Sequence, residues 1–308
     1  RPVTVPLNSL TPGKPSGWAA YPAGVAWALR AAGHRPRGAN LVIDSDVPRG
    51  AGLSSSAALE CAVALALDGL YGLEVPRAEL AAAAQRAEND FAGVPCGIMD
   101  QSASLLSQPG NALLLDCRTG ETEQVPFDTA GAGLELLVID TAARHKLADG
   151  NYASRRDECA AAAAALGVRS LRDVTSPSEA ARIADPVLRR RATHVVTENR
   201  RVLDTVALLR AGRLSETGAV LTESHVSLRD DFEISWPEAD AAVEAAAGAG
   251  ALGARMVGGG FGGSVIALAP AARCGQIRAA VRDRFAASGF EPPHCLGAVP
   301  SAGGRRVA

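Results

Sequence analysis

The amino-acid sequence predicts an α+β fold divided into two lobes, and three observations carry that expectation. The chain has 308 residues, 47% of them hydrophobic, enough to bury a sizeable core, and a typical domain of roughly 100–200 residues favours two domains over one large unit. Segments with helical spacing and segments with strand character intermingle, without the regular alternation that builds a doubly wound parallel sheet. A break near Pro126 separates a first domain, 1–126, from a helix-rich second domain, 127–308.

The elements follow in order. Residues 1–15 are polar and proline-containing, start without methionine and show no strand pattern or helix cap, so an N-terminal truncation is expected. Apolar residues recur at helical spacing over Trp18–Ala32, and Asn40–Ile43 reads as a short strand leading into the glycine-rich Pro48–Leu53. Ser54–Leu70 is rich in Ala and Leu, with no Gly or Pro before Gly69, which predicts a long buried helix starting at the serines. Glu79–Phe91 predicts a helix ended by Gly93-Val94-Pro95, and Ile98–Leu106 predicts another. Ala112–Leu115 and Leu134–Asp140 have strand character. Helices are expected over Asn151–Leu166, Leu188–Leu209, Leu214–Leu228 and Pro237–Ala249, and a hairpin around a glycine loop over Arg255–Ala269. No solenoid repeat and no low-complexity tail interrupts them.

Composition narrows the class of protein. A formal charge of −2 gives no basic surface for a phosphate polymer, which argues against nucleic acid as a partner. The six cysteines, Cys61, Cys96, Cys117, Cys159, Cys274 and Cys295, are scattered, form no CxxC pair and accompany no secretory signal. They read as free thiols of a reducing compartment, so a cytoplasmic protein is expected. Apolar runs such as Ala160–Leu166 fall far short of the roughly 20 residues that span a bilayer, and no membrane anchor is expected. The five histidines show no metal-site spacing.

The most informative stretch is Pro48-Arg49-Gly50-Ala51-Gly52-Leu53-Ser54-Ser55-Ser56-Ala57-Ala58. Glycines let backbone N–H groups approach an anion, a helix N-terminus adds unpaired N–H groups and partial positive charge, and hydroxyls bond phosphate or ligate a metal. The competing reading is a glycine turn capped by serines. A Walker A loop would need a lysine before its Ser or Thr, and none occurs here; protein-kinase signatures are absent as well.

That order resembles the ATP-binding motif of the GHMP kinases, and the triple serine resembles the version found in galactokinases. The likeness continues through Arg86-Ala87-Glu88-Asn89-Asp90-Phe91-Ala92-Gly93-Val94-Pro95-Cys96-Gly97-Ile98-Met99-Asp100-Gln101. Further matches are Tyr152–Cys159, His225–Phe232 and the glycine loop Met256–Ser264, so it covers nearly the whole chain from Trp18 to Arg306. The resemblance implies an N-terminal lobe with a mixed sheet and helices, like domain 2 of ribosomal protein S5, and a ferredoxin-like α/β sandwich as the C-terminal lobe. It implies an ATP- and Mg²⁺-dependent kinase that phosphorylates galactose at the anomeric hydroxyl, acting as a monomer on a small molecule.

Individual roles follow from the same resemblance. ATP falls to Pro48, Gly50, Ala51, Gly52, Leu53, Ser54, Ser55 and Ser56, with Trp18 against adenine, although a Trp opening an amphipathic helix is otherwise a core residue. Ser56 and Glu88 are the implied metal ligands. Asp100 is the implied base for the attacking hydroxyl, its alternative role being a helix cap. Gly97, Asp100 and Tyr152 are implied to contact the sugar, and Gly258–Gly263 to line the site from the second lobe. The galactokinase signature Gly-Arg-x-Asn-Leu-Ile-Gly-Glu-His-x-Asp-Tyr, with its catalytic arginine, has no match and would precede Arg1. Trp236 stands where similar proteins carry a small residue, and the residues alone suggest no role for it. The alternatives are a related kinase acting on N-acetylgalactosamine or L-arabinose, and a non-catalytic regulator; the intact serine run and Asp100 favour an enzyme.

Overall fold

The computed structural model describes residues 2–48, 50–143 and 151–307. The chain folds as two compact units, one made of Arg1–Arg49, Ser54–Val125 and Pro300–Ala308, the other of Gly50–Leu53 and Pro126–Val299. Each is therefore discontinuous: the C-terminal residues pack with the first unit, and the middle of the glycine-rich loop packs with the second.

The first unit is mainly helical. It contains α1 (Ala20–Ala31), α2 (Ser55–Tyr71), α3 (Arg77–Arg86), which runs on as a π-helical turn (Ala87–Ala92), and α4 (Met99–Leu106). A two-stranded sheet of β1 (Asn111–Leu115) and β2 (Thr122–Pro126) follows. Val25, Leu29, Cys61, Ala64, Leu67, Leu80, Ala84 and Leu105 build one core among the four helices. Small residues set its spacing: a Cβ at Gly24 would lie 3.1 Å from the Ala87 Cβ, so α1 and the π turn pack backbone against backbone. The strand expected at Asn40–Ile43 does not form. That segment has no sheet partner among the described residues, and Val42 is fully exposed. Alternating or apolar residues make a strand only when a neighbouring ladder takes up their backbone groups.

The second unit carries β3 (Leu134–Asp140), α5 (Asn151–Ala165), α6 (Pro177–Ala180), α7 (Pro186–Arg210), α8 (Thr217–Asp230), α9 (Pro237–Gly248), β4 (Gly253–Met256), β5 (Ser264–Pro270), α10 (Cys274–Ser288) and β6 (His294–Ala298). Its four strands run in the order β4-β5-β3-β6, every neighbouring pair antiparallel, with Leu137 opposite both Ala267 and Gly297. Leu137, Ile139, Met256, Val265 and Ala267 form a single core with Val243 and Ala246 of α9 and Ile277, Val281 and Phe285 of α10. A separate core of Ala162, Ala163, Leu171, Ile183, Ala192 and Val196 joins α5, α6 and α7. Helix α7 begins two residues before its apolar pattern does because Pro186 occupies the first turn and the Asp185 carboxylate accepts from the Val187 and Leu188 N–H groups. The sequence reading had no element for β2, α10 or β6, although the buried Ile277, Val281 and Phe285 recur at helical spacing.

Candidate active site

The glycine-rich loop is built for close approach. A Cβ on Gly52, where φ is +67°, would meet the Gly263 Cα at 3.2 Å, and a Cβ on Gly263 would meet the Gly52 Cα at the same distance. Only two glycines let these backbones lie against each other. Ser264 Oγ donates to the Ala51 carbonyl at 2.7 Å and anchors the contact. The motifs at 50–53 and 258–263, far apart in sequence, are thus neighbours within the second unit.

In the first unit, the serine run opens α2. Ser54 precedes the helix with φ of 56°, a left-handed conformation unusual for a residue with a side chain, and its hydroxyl makes no capping bond. The capped-turn reading therefore fails, since a capping serine is extended and bonds the second or third helical N–H. Instead the first N–H groups of α2 have no intrahelical partner, and their dipoles favour an anion. Trp18 lies in a short 3₁₀ turn (Gly17–Ala19) and is 53% exposed, so it is not a core residue.

Glu88 sits in the π turn, where the i→i+5 spacing displaces the chain from regular helix; such turns are frequent at functional sites. It is buried and receives the Gln101 amide at 2.9 Å and the Cys96 thiol at 3.4 Å. Asn89 clamps the following loop from both sides, its Oδ1 accepting from the Cys96 N–H at 2.6 Å and its Nδ2 donating to the Cys96 carbonyl at 3.1 Å. That clamp fixes the approach to Asp100, which lies in the first turn of α4. Ile98 is the residue at the cap position, and Asp100 makes no hydrogen bond among the described residues, so its cap reading fails too. Gly97 is exposed, with open space where a Cβ would stand.

Glu60, one helical turn beyond Ser56, completes this cluster. It is fully buried, and burial together with the Glu88 charge pushes its carboxyl up to about 9. Burial and the same two acids raise Tyr21, and burial followed by Glu88 carries the Cys96 thiol to about 12. Both Glu60 oxygens and Gln101 Oε1 are buried without a hydrogen-bond partner. An all-oxygen donor set with unfilled acceptors fits a hard divalent cation, which takes one or two carboxylates from protein and leaves its other positions to water and phosphate. Among the described residues no group of three or more His, Cys, Asp or Glu could by itself hold a metal ion. Sequence reasoning quoted Gln101 without a role and passed over Glu60. The available signal was an acid four residues after Ser56, set in the Ala- and Leu-rich middle of α2.

The second unit supplies a brace that the sequence did not reveal. Trp236, buried ahead of α9, donates its indole N–H to Thr141 Oγ1 at 3.1 Å. Thr141 in turn donates its hydroxyl to the Gly263 carbonyl at 2.6 Å and its N–H to the same oxygen at 3.1 Å. Trp236 thus holds the glycine loop that lies against Gly52. Tyr152, on α5, is 37% exposed.

Residues 20–108 match the family described as GHMP kinases N terminal domain, and residues 205–287 match the GHMP kinases C terminal family. The galactokinase of Streptomyces coelicolor is 51% identical over 310 residues, spanning 99% of this chain and 80% of that protein. The galactokinase of Mycobacterium tuberculosis is 49% identical over 291 residues, spanning 94% and 80%. Among solved structures, Lactococcus lactis galactokinase complexed with galactose superposes with a TM-score of 0.86 at 34% identity, covering 94% of this chain and 77% of that one. A homoserine kinase from Cytophaga hutchinsonii, at 18% identity and a TM-score of 0.60 over 94% of this chain and 80% of its own, shares the fold. With both GHMP kinase domains matched and half of its residues identical to a galactokinase over nearly its whole length, the chain belongs to the galactokinase family of GHMP kinases.

Proposed function

We propose that this protein transfers the γ-phosphoryl group of ATP to the C1 hydroxyl of D-galactose. The observation that carries the reading is Asp100, which occupies the base position of the galactokinase motif and stands on the first turn of α4 with no hydrogen bond among the described residues. Phosphoryl transfer asks of the protein mainly in-line positioning, charge neutralisation and an acceptor for the nucleophile's proton. Asp100 is assigned that proton. The uncapped serines and free N–H groups at the head of α2, with Gly50–Leu53, hold the phosphates, and exposed Trp18 is assigned the adenine. Ser56 and Glu88 would hold Mg²⁺, which when bound neutralises phosphate charge. Gly97 offers backbone to the sugar, and Tyr152 a side chain. We read the two units as the two lobes of a GHMP kinase. Six free cysteines, none of them in a disulfide, support a reducing, cytoplasmic setting; separately, no helix among the described residues is long and apolar enough to cross a membrane.

A coupled assay of ADP release across hexoses tests the reading. Turnover with galactose as the preferred sugar is the expected result. Preference for N-acetylgalactosamine or L-arabinose would replace the substrate, and galactose binding without turnover with any sugar would make the protein a sensor.

A further inference from the structure

The paired acids of the first unit carry one inference beyond these assignments. Glu60 projects from α2 one turn after Ser56, hence from the same helical face, and meets Glu88 from the π turn and Gln101 from α4. Gln101 Nε2 donates to Glu88 Oε2 at 2.9 Å and to Cys96 Sγ at 3.7 Å, while Gln101 Oε1 and both Glu60 oxygens are buried without a hydrogen-bond partner. No Arg, Lys or His side chain hydrogen-bonds or pairs with Glu60 or Glu88 among the described residues. Buried acceptors are nearly always satisfied in native proteins, and a set left open at one spot calls for an explanation. Two carboxylates with an amide oxygen, beside a hydroxyl on the same helix face, have the composition of a magnesium or manganese site.

We propose that Glu60 is a third protein group of the divalent-cation site, holding the ion together with Ser56 and Glu88 either directly or through one bound water, with Gln101 orienting Glu88. The proposal rests on the kinase reading for the identity of the ion's task but not for its location. It explains why the Ala- and Leu-rich middle of α2 carries a fully buried acid at this position. It also gives Gln101 a task, because groups that orient a metal ligand typically change affinity about 10–100-fold when removed.

The experiment is Mn²⁺ binding followed by electron paramagnetic resonance of the free ion, on the protein alone and with ADP, with no turnover involved. Glu60→Gln keeps the shape and removes the group that can ionise onto the bound ion. The expected result is about a 10–100-fold weaker Mn²⁺ affinity, matched in direction by Glu88→Gln and absent in Glu79→Gln, a surface variant. Glu60→Asp, which keeps the carboxyl but withdraws it, should also weaken binding, and it serves if Glu60→Gln does not fold. Wild-type Mn²⁺ affinity in either folded Glu60 variant, or no Mn²⁺ binding by the wild type with ADP present, would overturn the proposal. Sugar-kinase turnover with Mn²⁺ binding insensitive to Glu60 sinks this inference and leaves the function standing; Glu60-dependent Mn²⁺ binding without turnover does the reverse.

Discussion

Two buried polar clusters in this chain are built on opposite principles. In the second unit Arg191 is almost fully buried, donating to Glu158 at 2.6 Å, to Glu233 at 2.5 Å and to the Asp231 carbonyl at 2.5 Å. Nearby in the same unit Glu198 accepts from Arg255, Ser224 and Arg201. The charges there come in opposite pairs, and the arginines hold Glu158, Glu198 and Glu233 below the usual carboxylate range against the desolvation of their surroundings. In the first unit Glu60 and Glu88 face each other with no cation between them, and Asp100 has no partner among the described residues. A paired network is the arrangement expected of a group that holds structure together, because burying one charge alone is costly. Two acids left open side by side, one of them kept protonated by burial and by the other's charge, are the arrangement expected of groups whose partner arrives with a ligand.

The comparison breaks most visibly if Asp100 proves structural. Asp100→Asn keeps size and removes the proton acceptor, so turnover is expected to fall by about 10²–10⁴-fold while the thermal midpoint stays within a degree or two. A large loss of stability with activity retained would move Asp100 into the structural class.

Arg191 should behave in the opposite way. Arg191→Met removes the counter-charge that Glu158 and Glu233 share and leaves Glu158 to Arg155 and Glu233 to Arg190. Removal of one partner from a buried pair costs about 3–5 kcal/mol, and no more than the low end applies because both acids reach solvent and each keeps a second arginine. Urea denaturation should therefore show a loss of up to about 3 kcal/mol. An unchanged midpoint would mean the network adds nothing to stability.

A smaller effect, in pH, sharpens the contrast. Burial depresses His194 to about 4 from an ordinary 6.5, with the Glu198 charge opposing and Arg201 and Arg255 adding to the shift. The unfolded chain therefore takes up this proton first as pH falls, and stability present above pH 6.5 is lost progressively down to about pH 4. At about 1.4 kcal/mol per unit, the loss at pH 5 is about 2 kcal/mol. Glu60 acts in the opposite sense over part of that range: its folded form keeps a proton that the unfolded form releases above about 4.5, so its contribution falls as pH rises from there. Between pH 4.5 and 6.5 the contributions of these two groups therefore oppose each other. Denaturation curves of His194→Gln against wild type should separate the two, the variant gaining relative stability as the solution is acidified. Parallel profiles would show that His194 is protonated as readily folded as unfolded.

Much of this was legible in the residues themselves. The helices at α1–α5 and α7–α9 and the strands at β1 and β3–β5 follow from apolar spacing and from their Gly and Pro boundaries. The glycine and serine run suggested a phosphate loop by its residue types, with a serine-capped turn as the competing reading, whereas Glu88 and Asp100 stood out only through the resemblance to the kinase motifs. Less legible were β2 and β6, whose short runs alternate weakly. Asn40–Ile43 shows the reverse error, a strand-like run that finds no partner.

By itself the sequence determined the family, the α+β class and the position of the serine run at the head of α2, because these depend on local order along the chain. Only the tertiary structure decided that Gly52 rests on Gly263, that Trp236 braces that loop through Thr141, and that Glu60 and Gln101 join Glu88. Each of these links joins residues distant in sequence or on different elements. Such contacts arise from how helices and strands pack, which no spacing rule along one segment can specify.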